Sequence, residues 1–331
     1  MHIPDNYLSP STCATFGVVM IPIWRKAVKN VKEQINRKKM PLIGLCSAFS
    51  FLVMMFNVPV PGGTTAHAVG ASLIAILLGP SAAILSVTIT LLIQALLFGD
   101  GGLLSFGANA FNMAFVIPVT AYYIYRFIKG NSKSEKRDFV SAFIAGYISI
   151  NIAAMCAAIE FGIQPILFKD TNGMPLYSPY SIKTTLWAMM IPHLLVVGFI
   201  EGSVCGGVLA YLRKVSPKVV VESQPIKFLS LKFLIVLLML LCPIGLIASG
   251  SAFGEWGNDQ IKSMLGYLPK GMQQGFSFKA LFSSYSIHGI SSIIGYIICG
   301  IIGVVAILII FKLIGKQLEK NIDDDRGNKI V

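Results

Sequence analysis

What this chain has little of narrows its class first. Only 13% of its 331 residues are charged, against about 25% in soluble domains. Acidic residues number 15 and histidines four, while 55% of the chain is hydrophobic and the mean hydropathy is +0.73. A water-soluble core cannot absorb so much apolar chain without leaving long runs against solvent, so lipid is the solvent for most of it. The six cysteines (Cys13, Cys46, Cys156, Cys205, Cys242, Cys299) include no CxxC pair and lie in or beside apolar runs. They read as small buried hydrophobes, which excludes a disulfide framework and a thiolate metal site.

Several motifs are missing as well. No GxxxxGK[ST] phosphate loop occurs, so ATP hydrolysis by that device is excluded. Neither HExxH nor GxSxG is present, and the chain is expected to have no catalytic residues and no catalytic cofactor. No basic residue precedes Arg25. A cleavable signal peptide needs one, so the N-terminus is expected to stay intact.

The net charge of +12 could suggest nucleic acid, but its distribution excludes that partner. Lys and Arg cluster between apolar runs, at 25–39, 126–137 and 213–218. Short basic loops are what the positive-inside rule places in the cytoplasm. Apolar runs at 10–24, 40–57, 67–79, 81–98, 103–127, 139–162, 183–212, 229–249 and 287–315 predict nine transmembrane helices. The expected fold is an all-α polytopic membrane protein with the N-terminus outside and the C-terminus inside. Loops near 58–66, 99–102, 163–182 and 250–286 then face outward. The Pro-broken polar stretch at 214–228 predicts a cytoplasmic linker between a seven-helix module (1–213) and a two-helix module (229–331).

Three places could carry chemistry. The first is Met1-His2. A large second residue blocks removal of the initiator Met, so the α-amine is expected to be free. That amine, the amide nitrogen of His2 and its imidazole can close fused chelate rings around one metal. Three nitrogens in a plane suit Ni²⁺ or Cu²⁺ better than tetrahedral Zn²⁺. Pro4 and Pro10 stiffen the segment. The second is His67, predicted in the first turn of a helix after Pro61-Gly62-Gly63-Thr64-Thr65-Ala66, on the same side of the membrane as Met1. An ionisable residue at such depth is usually functional. The third is the Gly99-Asp100-Gly101-Gly102 turn with Gln94 before it and Asn109 and Asn112 after it. Their amides either staple helices or orient a metal-binding side chain. His193 and Glu201, eight residues apart, are expected on roughly one helix face, paired with each other or contacting a partner subunit. His288 is expected to be interfacial.

The segments Met1-His2-Ile3-Pro4-Asp5, Pro61 to Gly70 and Gln94 to Gly102 closely resemble the CbiM/NikM family, over roughly residues 1–212. These are substrate-binding (S) components of nickel and cobalt energy-coupling-factor (ECF) transporters. The resemblance implies four nitrogen ligands from Met1, His2 and His67, and Ni²⁺ or Co²⁺ as transported substrate. It implies a transmembrane coupling (T) subunit and a pair of cytoplasmic ABC ATPases as partners, in the cell membrane of a prokaryote. Asn6 departs from the family, which commonly has Gly there. The segments at 250–257 and 266–272 resemble the accessory part of fused nickel-type members (NikMN), which tilts the expectation from cobalt for cobalamin synthesis towards nickel. Rival readings are an intramembrane enzyme using His193 and Glu201, and a passive vitamin-binding or channel protein.

Overall fold

A computed structural model describes residues 1–34, 40–62, 64–215, 228–248 and 250–327. It is mostly helical. In chain order the elements are α1 (Pro10–Gln34), α2 (Met40–Met54), β1 (Val58–Val60), β2 (Thr64–Ala66) and α3 (Ala71–Leu78). There follow α4 (Pro80–Phe98), α5 (Phe106–Lys129), α6 (Glu135–Leu167) and α7 (Ile182–Val215). The chain ends with α8 (Phe228–Leu241), the short α9 (Asn258–Leu265) and α10 (Lys270–Gln273), and α11 (Ser292–Gly327). Each of the nine apolar runs contains a helix. Five helices (α4, α5, α6, α7 and α11) are long and apolar enough to cross a bilayer by themselves. Except at its ends, the expected 214–228 linker lies outside the described residues, as do Arg37, Lys38 and Lys39.

Hydrophobic patterning sorts these helices. α2 is apolar all round and is buried at every described position but Pro41, as a central helix must be. Outer helices turn apolar side chains outward: Phe127 is 89% exposed, and Val18, Trp187 and Leu195 are more than 60% exposed. In water such a surface would aggregate; against acyl chains it is satisfied. Small residues bring α6 and α7 together, the usual device where lipid supplies no drive for helix association. A Cβ at Gly202 would stand 2.7 Å from the Phe143 carbonyl oxygen.

The C-terminal helices dock on the first seven. A Cβ at Gly303 of α11 would run into the Phe51 ring of α2, and the Tyr296 hydroxyl donates to the Met55 carbonyl at 2.7 Å. The 250–286 segment is not a free loop. It lies over the N-terminal segment and binds the 163–182 loop through Gly271 N–H to the Leu176 carbonyl (2.8 Å) and Lys270 to Asp170 (3.0 Å).

At the opposite end, a charge cluster closes the bundle. Asp138, 2% exposed, meets Lys129 Nζ at 2.6 Å, the Arg213 guanidinium and the Tyr125 hydroxyl. It ties the ends of α5, α6 and α7.

Candidate metal centre

The first nine residues run inward as a buried, irregular segment. Ile3, Tyr7, Leu8 and Ser9 are 2% exposed or less. A buried backbone without helix or sheet must find its hydrogen bonds elsewhere, and this one does so residue by residue. Asn109 acts as a strand in miniature: its Oδ1 accepts from Ile3 N–H at 2.8 Å and its Nδ2 donates to the Ile3 carbonyl at 2.9 Å. Gly102 N–H donates to the same carbonyl at 2.9 Å. A side chain at Gly102 would collide with Asp5, whose Oδ1 caps Leu104 N–H at 2.7 Å. Ser9 N–H donates to Gln164 Oε1 at 3.0 Å.

Asn6 takes the left-handed conformation (φ 69°), where Gly is the default residue and Asn is tolerated. Its side chain also makes two bonds to the backbone of Phe276, at 2.8 and 2.9 Å. The residue that departs from the family pattern is therefore a direct tie to the C-terminal part.

His67 arrives from another direction. The run 58–66 forms a two-stranded antiparallel hairpin, Val58 opposite Ala66 and Val60 opposite Thr64, with Pro61 and Gly62 starting the turn. The chain then crosses as coil to α3, so His67 sits four residues before that helix and not in its first turn as expected. Gly70, at φ 72°, makes the bend that only Gly adopts cheaply. Glu201 holds this crossing: its Oε2 accepts from Val69 and Gly70 N–H at 2.8 and 2.9 Å, and its Oε1 from the Ser72 hydroxyl at 2.8 Å.

The expected His193–Glu201 pair is thereby overturned. Five residues from His193 to Val197 form a wide π turn, but about two turns, roughly 12 Å of helix rise, still separate the two positions, and each takes partners of its own. His193 Nδ1–H donates instead to the Met189 carbonyl at 2.7 Å.

Met1, His2 and His67 come together under the 250–286 segment, 4%, 1% and 5% exposed. His67 Nδ1–H donates to the Ala68 carbonyl at 2.9 Å. That fixes the tautomer and leaves the Nε2 lone pair aimed at His2 Nδ1, 3.2 Å away. Burial, and then the neighbouring α-amine, push the His2 imidazole down to about 3, so it is neutral and can act as a donor to a metal. Two cis nitrogens on a metal at about 2.0 Å would stand about 2.8 Å apart, only a few tenths of an ångström closer. Among the described residues no three His, Cys, Asp or Glu side chains gather as metal ligands. Two imidazoles alone leave a cation under-coordinated, and the donors within reach are the N-terminal backbone nitrogens and the Asp100 carboxylate.

Around this point lie Glu255 and Tyr285, which sequence reasoning missed, and Asp100 and Gln94, whose contacts it did not foresee. Asp100 Oδ1 is 3.1 Å from His2 Nδ1. Its Oδ2 accepts from the Tyr285 hydroxyl at 2.6 Å and from Gln94 Nε2 at 3.3 Å. Glu255 Oε1 is 3.6 Å from the Met1 amine, and burial raises its carboxyl above the usual range, against the pull of that amine. Tyr285 and Glu255 lie more than 150 residues from the histidines in sequence, and no local signal marks them. Gln94 sits beside His2, and its Oε1 and His2 Nε2 both lack partners. Asn112 belongs elsewhere: its Nδ2 donates to Glu160 at 2.9 Å, stapling α5 to α6.

Residues 2–219 match the family described as CbiM, cobalt uptake substrate-specific transmembrane region, and residues 227–320 match the PDGLE domain. The chain is 44% identical over 322 residues to a probable fused nickel transport protein, LarMN, of Lactiplantibacillus plantarum, covering 94% of this chain and 97% of that one. It is 44% identical to the fused nickel transport protein NikMN of Rhodobacter capsulatus, over 80% of this chain and 78% of that one. A cobalt transport protein CbiM of Clostridioides difficile shares 29% identity over 60% of this chain and 78% of its own length. A crystal structure of a truncated transition metal transporter superposes with a TM-score of 0.62 at 50% identity, over 65% of this chain and 99% of that one.

Proposed function

The chain belongs to the CbiM family, here with a PDGLE domain behind it, and from that membership we propose that it captures Ni²⁺ and carries it across a prokaryotic cell membrane as the substrate-specific part of an ECF-type uptake transporter. Four nitrogens hold the ion: the Met1 amine, the amide and Nδ1 of His2, and Nε2 of His67. The single observation carrying this reading is the neutral His2 Nδ1 set 3.2 Å from a His67 Nε2 whose lone pair is freed by its partner nitrogen's bond to Ala68.

The donor set selects its ion. Deprotonating an amide nitrogen is worthwhile for Ni²⁺ or Cu²⁺, which favour a plane of nitrogens, and not for Mg²⁺ or Ca²⁺, which favour oxygen. A divalent ion with a deprotonated amide leaves one positive charge, and Asp100 beside His2 offsets it. On loading, His2 Nδ1 turns its lone pair to the metal, and its Nε2–H then donates to the unpartnered Oε1 of Gln94. Co²⁺ accepts the same nitrogens and stands one step lower in affinity. The fused nickel relatives cover both parts of this chain, and that tilts the proposal to nickel.

In the membrane we place nine spans with the metal end outside and the C-terminus inside, so that the basic clusters face the cytoplasm. Residues 1–213 form the metal-binding module, and 229–331 the accessory module that covers it. Energy comes from a T subunit and two ABC ATPases, since this chain has no phosphate loop.

The magnetic state of the loaded protein tests the proposal. Ni²⁺ in a plane of four nitrogens is diamagnetic. A paramagnetic, six-coordinate Ni²⁺ in the purified protein would mean that oxygen ligands such as Asp100 hold the ion and that the backbone amide does not.

A further inference from the structure

The end of the bundle opposite the histidines holds a groove of about 510 Å³. It opens between the start of α2, the start of α8 and the 308–316 stretch of α11. Its lining divides sharply. Phe311 and Leu308 give an apolar wall, and Gly44 and Gly315 leave depth where side chains would otherwise stand. Lys232, Lys312 and Lys316 line the same groove, and all three are exposed.

Three lysines on one groove are not explained by helix stability. Lys312 and Lys316 lie four apart on one face of α11, an arrangement that destabilises a helix through like-charge repulsion. Lys232 is brought to them from a different helix. Such convergence is relieved by an anion. An inorganic anion would use the charges and leave the apolar wall unused. A ligand that uses both has a negative headgroup and a hydrocarbon tail, and the volume is in the range of small-molecule sites. Basic pockets between transmembrane helices are where acidic lipid headgroups bind.

We infer that this groove is a binding site for one anionic phospholipid, its phosphate on Lys232, Lys312 and Lys316 and the first part of an acyl chain along Phe311 and Leu308. The lipid cements α8 and α11 to α2, and so holds in place the two helices whose connecting segment covers the metal centre.

The test uses the full chain in neutral detergent, titrated with phosphatidylglycerol, with phosphatidylcholine of the same acyl chains, and with inorganic phosphate. Native mass spectrometry counts bound lipid, and thermal unfolding reads stabilisation. Phosphatidylglycerol is expected to remain as a one-to-one adduct and to raise the unfolding temperature, while phosphatidylcholine and phosphate do neither. Replacing all three lysines (Lys232→Gln, Lys312→Gln, Lys316→Gln) is expected to weaken phosphatidylglycerol about tenfold or more. Gly315→Leu keeps every charge but fills the groove, and a Cβ there meets only Met40 at ordinary contact; it too is expected to weaken the lipid. The comparison variant Lys133→Gln, Lys136→Gln, Lys214→Gln removes three exposed lysines from the same end of the bundle and is expected to bind normally. Equal loss in the comparison variant, no loss in the groove variants, or equal retention of phosphatidylcholine would overturn the site. So would groove variants that hold phosphatidylglycerol normally but no longer co-purify with partner subunits, since the groove would then receive an acidic protein segment.

Discussion

The two ends of this bundle treat buried charge in opposite ways. At one end Asp138 is cancelled on the spot, by Lys129 at 2.6 Å, by Arg213 and by the Tyr125 hydroxyl. Midway along α7, Glu201 accepts from two backbone N–H groups and a hydroxyl, and at the other end Asp100 accepts from a tyrosine and an amide beside an uncharged imidazole. The first arrangement is complete and needs nothing further. In the second, a carboxylate and two neutral imidazoles converge beside the chain's own α-amine, which Glu255 approaches at 3.6 Å. A buried ion pair that is already closed is a strut, whereas donors held open by backbone contacts form a receptor.

That contrast can be broken by mutation, and the largest effect is expected at His67. His67→Ala removes the one proposed nitrogen ligand that the proposed N-terminal chelate does not supply, and should weaken Ni²⁺ more than about a hundredfold in a calorimetric titration. Loss of even a residue supporting the ligands costs 10- to 100-fold in known sites. Retained affinity would show that the first two residues bind the metal without the 58–70 segment.

Glu201→Gln comes next. A carboxamide cannot accept at both oxygens, so the crossing that carries His67 loses at least one anchor. Ni²⁺ affinity should fall by about 10- to 100-fold, and the diamagnetism of the loaded protein should be preserved. If Glu201 served only the packing of α7, unfolding temperature would drop and affinity would not.

Tyr285→Phe should cost less, about a few-fold in affinity, because it removes one neutral-donor bond to Asp100 and leaves the ligands in place. The signature is faster Ni²⁺ release in a chelator chase, since Tyr285 comes from the C-terminal part that covers the site. An unchanged release rate would separate that part from metal retention.

The smallest effect on metal sharpens the comparison from the other end. Arg213→Met leaves Asp138 with one cation fewer in a buried setting, and breaking such a pair costs about 3–5 kcal/mol. Unfolding temperature should fall clearly and Ni²⁺ affinity should stay within about twofold. A matching loss of affinity would mean that the two ends are coupled and do not differ in kind.

Much of the fold was legible because apolar length is a direct statement about lipid: all nine runs hold helices, although the first continues through its basic cluster to Gln34 and the last to Gly327. Met1, His2 and His67 were legible as candidates because an amine next to a histidine, and a histidine after Pro-Gly-Gly, are local patterns, and the fold brings the three together. Three things were not. The hairpin at 58–66 has strands of three residues, too short for alternation to speak. The π turn after Pro192 carries no compositional mark, and the partners that Glu201 and His193 take instead of each other lie on the 69–72 crossing and in the preceding helical turn. Asp100 was visible only as part of a tight turn. Its role, like that of Glu255 and Tyr285, arises from tertiary contact with residues up to 285, and no spacing along the chain encodes it.

The central claim is that the chain's own first nitrogen is a metal ligand. The most direct test is the Ni²⁺ affinity of protein carrying a Gly-Ser-Gly extension ahead of Met1, compared with the native start. Three residues are needed, because a single added residue would place the histidine third and create another amine–amide–imidazole chelate. The account predicts loss of tight binding and of diamagnetic Ni²⁺ in the extended protein, with its metal-free unfolding temperature retained. Full affinity in the extended protein would contradict it and leave His2, His67 and Asp100 as the ligands.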